Sequence, residues 1–180
     1  MTSPYQLYQF LLSAEDSVVG QYLRYFTFLS HDEILELDRV TAEHPERREA
    51  QRQLARQVCT LVHGEAEMER AERAAGALFS EELADLDERS LLEVLAEAPS
   101  TELPRARLDG PGVPLVDLLA ETGMDPSKGR ARTTVEQGGA YVNNRRETDL
   151  ARVVGTGDLL DGGHIVLRRG RKDYHLVRVA

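Results

Sequence analysis

Residues 127–149 read SKGRARTTVEQGGAYVNNRRETD, an arginine-studded segment that runs into two glycines and then a Tyr-Val-Asn-Asn. Asp125 as cap, Pro126 in the first turn and Gly138 as the stop predict a helix. The stretch AYVNN that follows predicts a strand, with Asn143 and Asn144 as turn residues. Downstream, GDLLDGGHIVLRRGRKDYHLVRV predicts a strand at His164–Arg168, a tight turn at Arg169–Asp173 and a returning strand at Tyr174–Val179. Just upstream, PLVDLLAETG predicts a short helix closed by Gly123. From Val113 to the end the pattern is therefore helix, helix, small antiparallel sheet.

Residues 99–112, PSTELPRARLDGPG, hold three prolines, two glycines and no apolar period, which is linker composition. Before it, residues 1–98 read as helices. Ser3 and Pro4 open one over YQLYQFLLS, and Val18, Val19, Tyr22, Leu23 and Phe26 form the apolar stripe of a second. Gly20 inside that stripe costs roughly 1 kcal/mol against alanine. Ser30 and Glu33 have capping-box spacing for a third helix. HPERREAQRQLARQVCTLVHGE predicts a long amphipathic helix with Leu54, Val58, Leu61 and Val62 facing inward, stopped by Gly64. Shorter helices are expected over Met68–Phe79 and Ser90–Ala96. The expected class is α+β, an all-α bundle over 1–98, a linker over 99–112 and an αβ domain over 113–180.

The charge is divided between these parts. The chain is net −9, yet residues 1–100 carry 9 Lys+Arg against 20 Asp+Glu, while residues from Lys128 onward carry 11 against 6. A basic tail on an acidic body suggests a polyanionic partner for the tail. Cys59 is the single cysteine, so neither a disulfide framework nor a Cys-rich metal site is expected. His31, His44, His63, His164 and His175 have no ligand spacing, and no metal or other cofactor is expected. His63 suits the cap of a helix C-terminus. With no apolar stretch of 18 residues and no basic N-terminal region, neither a membrane span nor a signal peptide is expected, and a cytoplasmic setting fits.

The second domain resembles the S4 RNA-binding domain in Leu118-Leu119, Ser127-Lys128, Ala131-Arg132, Gly138-Gly139, Val142-Asn143 and the Asp158–Leu167 region. That resemblance implies a helix whose basic face lies on an RNA backbone, followed by a glycine turn into the first strand. Gly138 and Gly139 would supply positive-φ freedom and close backbone approach to phosphate. Lys128, Arg130, Arg132, Arg145 and Arg146 would contact phosphates, as would Arg168, Arg169, Arg171 and Lys172 in the basic hairpin tip RRGRKDY. Upstream, TSPYQLYQF, YLRYFTFLS, REAQRQLA and LVHGE resemble the region of bacterial tyrosyl-tRNA synthetases that follows their catalytic domain. Together the resemblances cover essentially all 180 residues.

The family implies tRNA as partner and an anticodon-region role for the bundle. The HIGH-type and KMSKS-type motifs of the family's Rossmann-type catalytic domain do not occur in these residues. Alone they are not expected to make tyrosyl-AMP, and a separate catalytic domain acting with them is a possible partner. Since the family dimerises through that domain, a monomer is expected. Tyr22, Tyr25, Phe26 and Phe28 are assigned to core packing, with stacking on bases as the other role. Two departures from the family pattern stand out. Gly20-Gln21 precedes the Tyr-Leu, and Thr134 puts a hydroxyl where an aliphatic group is usual, costly unless hydrogen-bonded.

Overall fold

The computed structural model describes residues 2–78 and 80–180, so Phe79, the far end of the helix expected over 68–79, lies outside the described residues. The chain divides into two compact units, Met1–Gly76 and Ala77–Ala180.

The first unit holds helices α1 (Pro4–Leu12), α2 (Asp16–Phe26), α3 (His31–Glu43), α4 (Glu49–His63) and α5 (Glu65–Ala77). Ser3 with Gln6 and Ser30 with Glu33 form capping boxes at the starts of α1 and α3, the second as expected from its spacing. Helix α4 is central. Its Leu54, Ala55 and Cys59 are fully buried, among a core that includes Tyr5, Tyr8, Val19, Leu23 and Ile34. Polar clamps set the register. The guanidinium of Arg48 donates to the carbonyls of Leu12 and Ala14 at 2.9 Å each. Buried Gln51 donates to Ala14 O at 3.2 Å and to Asp16 Oδ1 at 2.6 Å, so the α1–α2 turn is satisfied from α4. Burial and the neighbouring Glu72 push the Tyr8 phenol up to about 12. Gly20 has a packing reason: a Cβ there would meet Asp38 Oδ1 at 2.3 Å, where Asp38 pairs with Arg24 at 2.6 Å.

Two expectations fail in this unit. Leu61 and Val62 are exposed rather than inward. The Cys59 thiol already lies 3.7 Å from the carbonyl of Pro4, the first residue of α1, so the last turn of α4 runs past the helix that covers it. Tyr25, Phe26 and Phe28 are exposed too, Phe28 at 88%. Tyr25 sits about 200° round α2 from buried Leu23, Phe26 lies in the last turn, and Phe28 follows the helix.

The second unit starts earlier than expected. It contains α6 (Glu88–Val94), β1 (Ser100–Leu103), β2 (Val113–Pro114), α7 (Leu115–Glu121), α8 (Lys128–Glu136), β3 (Ala140–Val142), β4 (Arg145–Glu147), β5 (Val153–Val154), β6 (His164–Arg169) and β7 (Asp173–Val179). Five strands form one sheet in the order β1-β7-β6-β3-β4, and β2 pairs with β5 separately. Alternation along β6 and β7 sorts the side chains to two faces. Ile165, Leu167 and Val177 pack with Leu118, Leu119, Ala131 and Val135 of α7 and α8. Val166 and Leu176 pack with Leu83, Leu91 and Leu95. That second layer is why residues 77–98 belong to this unit and not to the bundle.

The expected linker over 99–112 is likewise corrected. Its first part is β1, paired in parallel with β7 (Thr101 opposite Val177), and its Leu103 and Leu108 are buried. Pro99 and Pro104 bracket the strand without interrupting it, and its polar character suits a sheet edge. Among the described residues, no helix is long and apolar enough to cross a membrane.

Two measurements check this architecture. Burial pushes the Cys59 thiol up to about 11, so alkylation at pH 8 should be slow in native protein and become fast only on denaturation. A fragment of residues 77–180 should unfold cooperatively in urea, whereas one of residues 113–180, lacking β1 and α6, should not.

Candidate nucleic-acid interface

Helix α8 begins two residues later than the sequence suggested. Its N-cap is Ser127, whose hydroxyl accepts from the Arg130 amide at 3.2 Å. Asp125 is not a cap. It is buried at 1% exposure and accepts a hydrogen bond from the Thr134 hydroxyl at 3.1 Å. The hydroxyl that looked costly in the core is therefore satisfied by a carboxylate nine residues earlier. Arg169 of β6 joins the group, with Nη1 at 3.5 Å from Asp125 Oδ1 and donating to the carbonyl of Met124.

Buried Ala131, Thr134 and Val135 define the inner face of α8. At about 100° per residue, Arg130 and Arg132 then stand on opposite flanks, about 200° apart, with Gly129 and Thr133 on the crest between them. A single basic face carrying both, as expected from the sequence, is not what this helix presents. Neither guanidinium has a hydrogen bond or ion pair among the described residues. Lys128 lies 2.9 Å from Asp117 Oδ1, with its side chain 63% exposed.

The helix ends at Gly138, whose φ of +67° is in the left-handed region. The group pressed against this glycine is Arg146, not a phosphate. Its Nε donates to Gly138 O at 2.8 Å and its Nη2 to Gln137 O at 3.3 Å, and a Cβ at residue 138 would fall 2.1 Å from Nη2. Arg146 thus closes the carbonyl end of α8, where positive charge is also favoured by the helix dipole. Gly139 does not share the positive φ expected of it.

Asn143 (φ 50°) and Asn144 (φ 62°) make the β3–β4 turn, both left-handed as a two-residue hairpin of type I′ requires. Both side chains are structural. Asn143 donates to Asp158 O at 2.7 Å and accepts from the Val166 amide at 2.9 Å, while Asn144 donates to Leu78 O and Ser80 O at 2.9 and 2.8 Å.

The β6–β7 hairpin divides its cations. The Arg168 guanidinium stacks on the Tyr141 ring, 3.6 Å from its centroid, and donates to Gly170 O at 3.0 Å. Arg169, besides its contacts to the Asp125 turn, pairs with Asp173 at 2.9 Å. Of the nine expected contacts, Arg146, Arg168 and Arg169 are thus committed to the protein's own carbonyls, rings and carboxylates. Arg145 faces Glu81 at 3.7 Å across solvent, an exposed pair worth little. Arg171 and Lys172 are exposed at the turn, without a partner among the described residues.

One bond ties the two basic elements together: the Gly170 amide donates to Gly139 O at 2.8 Å, seating the hairpin tip on the α8–β3 corner. Not anticipated from the sequence was Arg152, held by Glu147 at 2.9 Å and by Asp158. Its partners lie five and six residues away, in no helical or strand period. Among the described residues, no cluster of three or more His, Cys, Asp or Glu could hold a metal ion.

Replacing Thr134 by valine removes the hydroxyl donor from buried Asp125 at nearly constant volume. The substitution should cost about 1–3 kcal/mol in urea unfolding, and a variant as stable as the parent would remove the Asp125–Thr134 bond from the account of this corner.

Comparison with known proteins agrees with this division of the chain. Residues 1–80 match the class I tRNA synthetase family for tryptophan and tyrosine, and residues 94–177 match the tyrosine–tRNA ligase SYY-like C-terminal domain. The tyrosine–tRNA ligase of Roseiflexus castenholzii is 48% identical over 178 residues, covering 99% of this chain and 42% of its own. That of Corynebacterium jeikeium is 50% identical over 180 residues, covering 99% and 41%. A tyrosyl-tRNA synthetase C-terminal domain solved in solution is 35% identical, covering 57% of this chain and 98% of its own with a TM-score of 0.44. The chain spans about two-fifths of the length of the curated relatives it matches. It belongs to the tyrosine–tRNA ligase family, and corresponds to the C-terminal part of that family's sequence.

Proposed function

We propose that these 180 residues are the tRNA-binding part of a tyrosine–tRNA ligase, gripping the sugar-phosphate backbone with the α8–β3 corner and the β6–β7 hairpin. The observation that carries this reading is the fate of the cations. Arg130, Arg132, Arg171 and Lys172 have no internal partner among the described residues, on two elements joined by the Gly170–Gly139 bond. About 10 Å of helix separates Arg132 from that corner. A phosphate chain crossing the α8 crest would meet only Gly129 and Thr133 there, with Arg130 and Arg132 reaching it from either flank. Such forked donors suit phosphate oxygens. Lys128 and Arg145, exposed and weakly paired, add to the attraction.

In the bundle, exposed Tyr25, Phe26 and Phe28 offer faces on which unpaired bases can stack, in keeping with an anticodon-region role. Aminoacylation itself, on this reading, belongs to the remaining part of the family sequence, joined to these residues or supplied separately. The setting is the cytoplasm, and these residues alone are monomeric.

Binding of tyrosine tRNA should be strongly salt-dependent. Replacing Arg130 and Arg132 together by alanine should weaken it and reduce the slope of log K against log salt by about two. An unchanged slope would take both residues out of the interface. Arg146→Ala should instead act mainly on stability, since its guanidinium closes a helix.

A further inference from the structure

A cleft of about 490 Å³ opens in the second unit beside the hairpin. One wall is the end of α6 and the turn after it, with Val94, Leu95 and Ala98. Met124 of the α7–α8 turn and Tyr174 at the start of β7 also line it, together with Lys172 and Glu97. Its size is that of a small-molecule site, and its walls are fixed before any ligand arrives. The Tyr174 hydroxyl donates to Leu78 O at 2.6 Å, and Arg169 braces the lining through Met124 O and Asp173. Lys172 and Glu97 have no partner among the described residues, so a cation and an acceptor remain for a ligand.

A cleft of mixed character, with an apolar side around Val94, Ala98 and Met124, one aromatic ring, and a free ammonium and free carboxylate beside Asp173 and His175, matches the chemistry of a single nucleotide. The base has two apolar faces and exocyclic amino donors, and its phosphate is an anion. We propose that this cleft receives one unstacked nucleotide of the bound RNA, its base against the partly exposed Tyr174 and Val94 and its phosphate on Lys172. The proposal rests on the RNA-binding reading above. Lys172 belongs both to the cleft and to the hairpin tip seated on the α8–β3 corner, so a strand held by that tip passes the mouth of the slot. Glu97 favours bases that carry an amino group, adenine over uracil.

The test uses the full chain and two RNA hairpins with the same stem, one carrying a single bulged adenosine. The bulged hairpin should bind on the order of tenfold tighter, the worth of one captured base. Replacing the bulged adenosine by uridine should lose most of that gain. With 2-aminopurine at the bulge, bound RNA should be shielded from acrylamide quenching. Ala98→Phe, which fills the slot, should abolish the gain and leave the plain hairpin's affinity unchanged. The quenching measurement on unaltered protein decides the matter should that variant fail to fold. Equal, salt-dependent binding of both hairpins would overturn the cleft and leave the phosphate interface standing. Failure to bind either would overturn the RNA reading itself.

Discussion

The second unit is organised around a carboxylate that cannot stand alone. Asp125 is all but removed from water, and an ionised carboxylate there is tolerable only with donors around it. Those donors come from two elements far apart in sequence: the Thr134 hydroxyl on α8 and the Arg169 guanidinium on β6. Both reach Oδ1, while Oδ2 is buried without a hydrogen-bond partner, and these two contacts tie α8 and β6 to the α7–α8 turn. The Arg169 contact also anchors the hairpin at the strand residue that precedes its tip. The direction in which Arg130 and Arg132 leave the helix, and the place where Arg171 and Lys172 sit, both follow from that arrangement.

From this follows a division of labour among like residues. Arginine serves three purposes in this corner, and its rigid fork is suited to each. Arg146 caps carbonyls at a glycine, Arg168 stacks on a tyrosine, and Arg169 braces a buried carboxylate. Only cations with no such task remain for a ligand. A count of arginines therefore overstates a phosphate-binding surface, and the structural arginines explain why the free ones are held in place rather than waving from loops. The glycine at 138 belongs to this internal scheme. It is small because a guanidinium lies against it, although the motif around it points to the nucleic acid.

What the sequence disclosed and what it withheld separate along physical lines. Local signals were legible: the cap at Ser3, the capping box at Ser30, the stop at Gly64, the Asn143-Asn144 turn and the β6–β7 hairpin are each set by residues within a few positions of one another. The α+β class followed from them. Non-local pairing was not legible. The strand over Ser100–Leu103 carries one buried residue and looks like linker because its partner, β7, supplies the order from some seventy-six residues downstream. Leu83, Leu91 and Leu95 read as more of the helical bundle because periodicity reports that a face is buried, not against what. For the site, residue type was readable and residue state was not. Which arginine has a carboxylate or a ring beside it depends on contacts across the sheet, as with Arg169 and Asp125, forty-four positions apart. The exposed aromatics at the end of α2 show the converse: Tyr25 lies on the face away from Leu23, and Phe26 and Phe28 lie at or beyond the helix end, so residue type alone does not place them in the core.

The net charge of −9 poses no obstacle to a nucleic-acid surface on this chain, and the reason is range. At physiological salt, fields between exposed charges decay over roughly 8 Å, so a phosphate senses the few groups nearest to it and hardly senses the sum. Within the corner the acidic groups are consumed internally. Asp125 and Asp173 hold Arg169, Asp158 and Glu147 hold Arg152, and Asp117 holds Lys128. These five carboxylates share three cations, so the pairing leaves two negative charges, and the four unpaired cations on α8 and the hairpin, Arg130, Arg132, Arg171 and Lys172, outnumber them. Lowering the salt extends the range at which the acidic bundle is felt, so affinity should rise less steeply at very low ionic strength than the number of neutralised phosphates alone would give. Curvature of that sign in the salt dependence, absent from a fragment of residues 77–180, would trace the long-range term to the first unit and leave the short-range grip with the second.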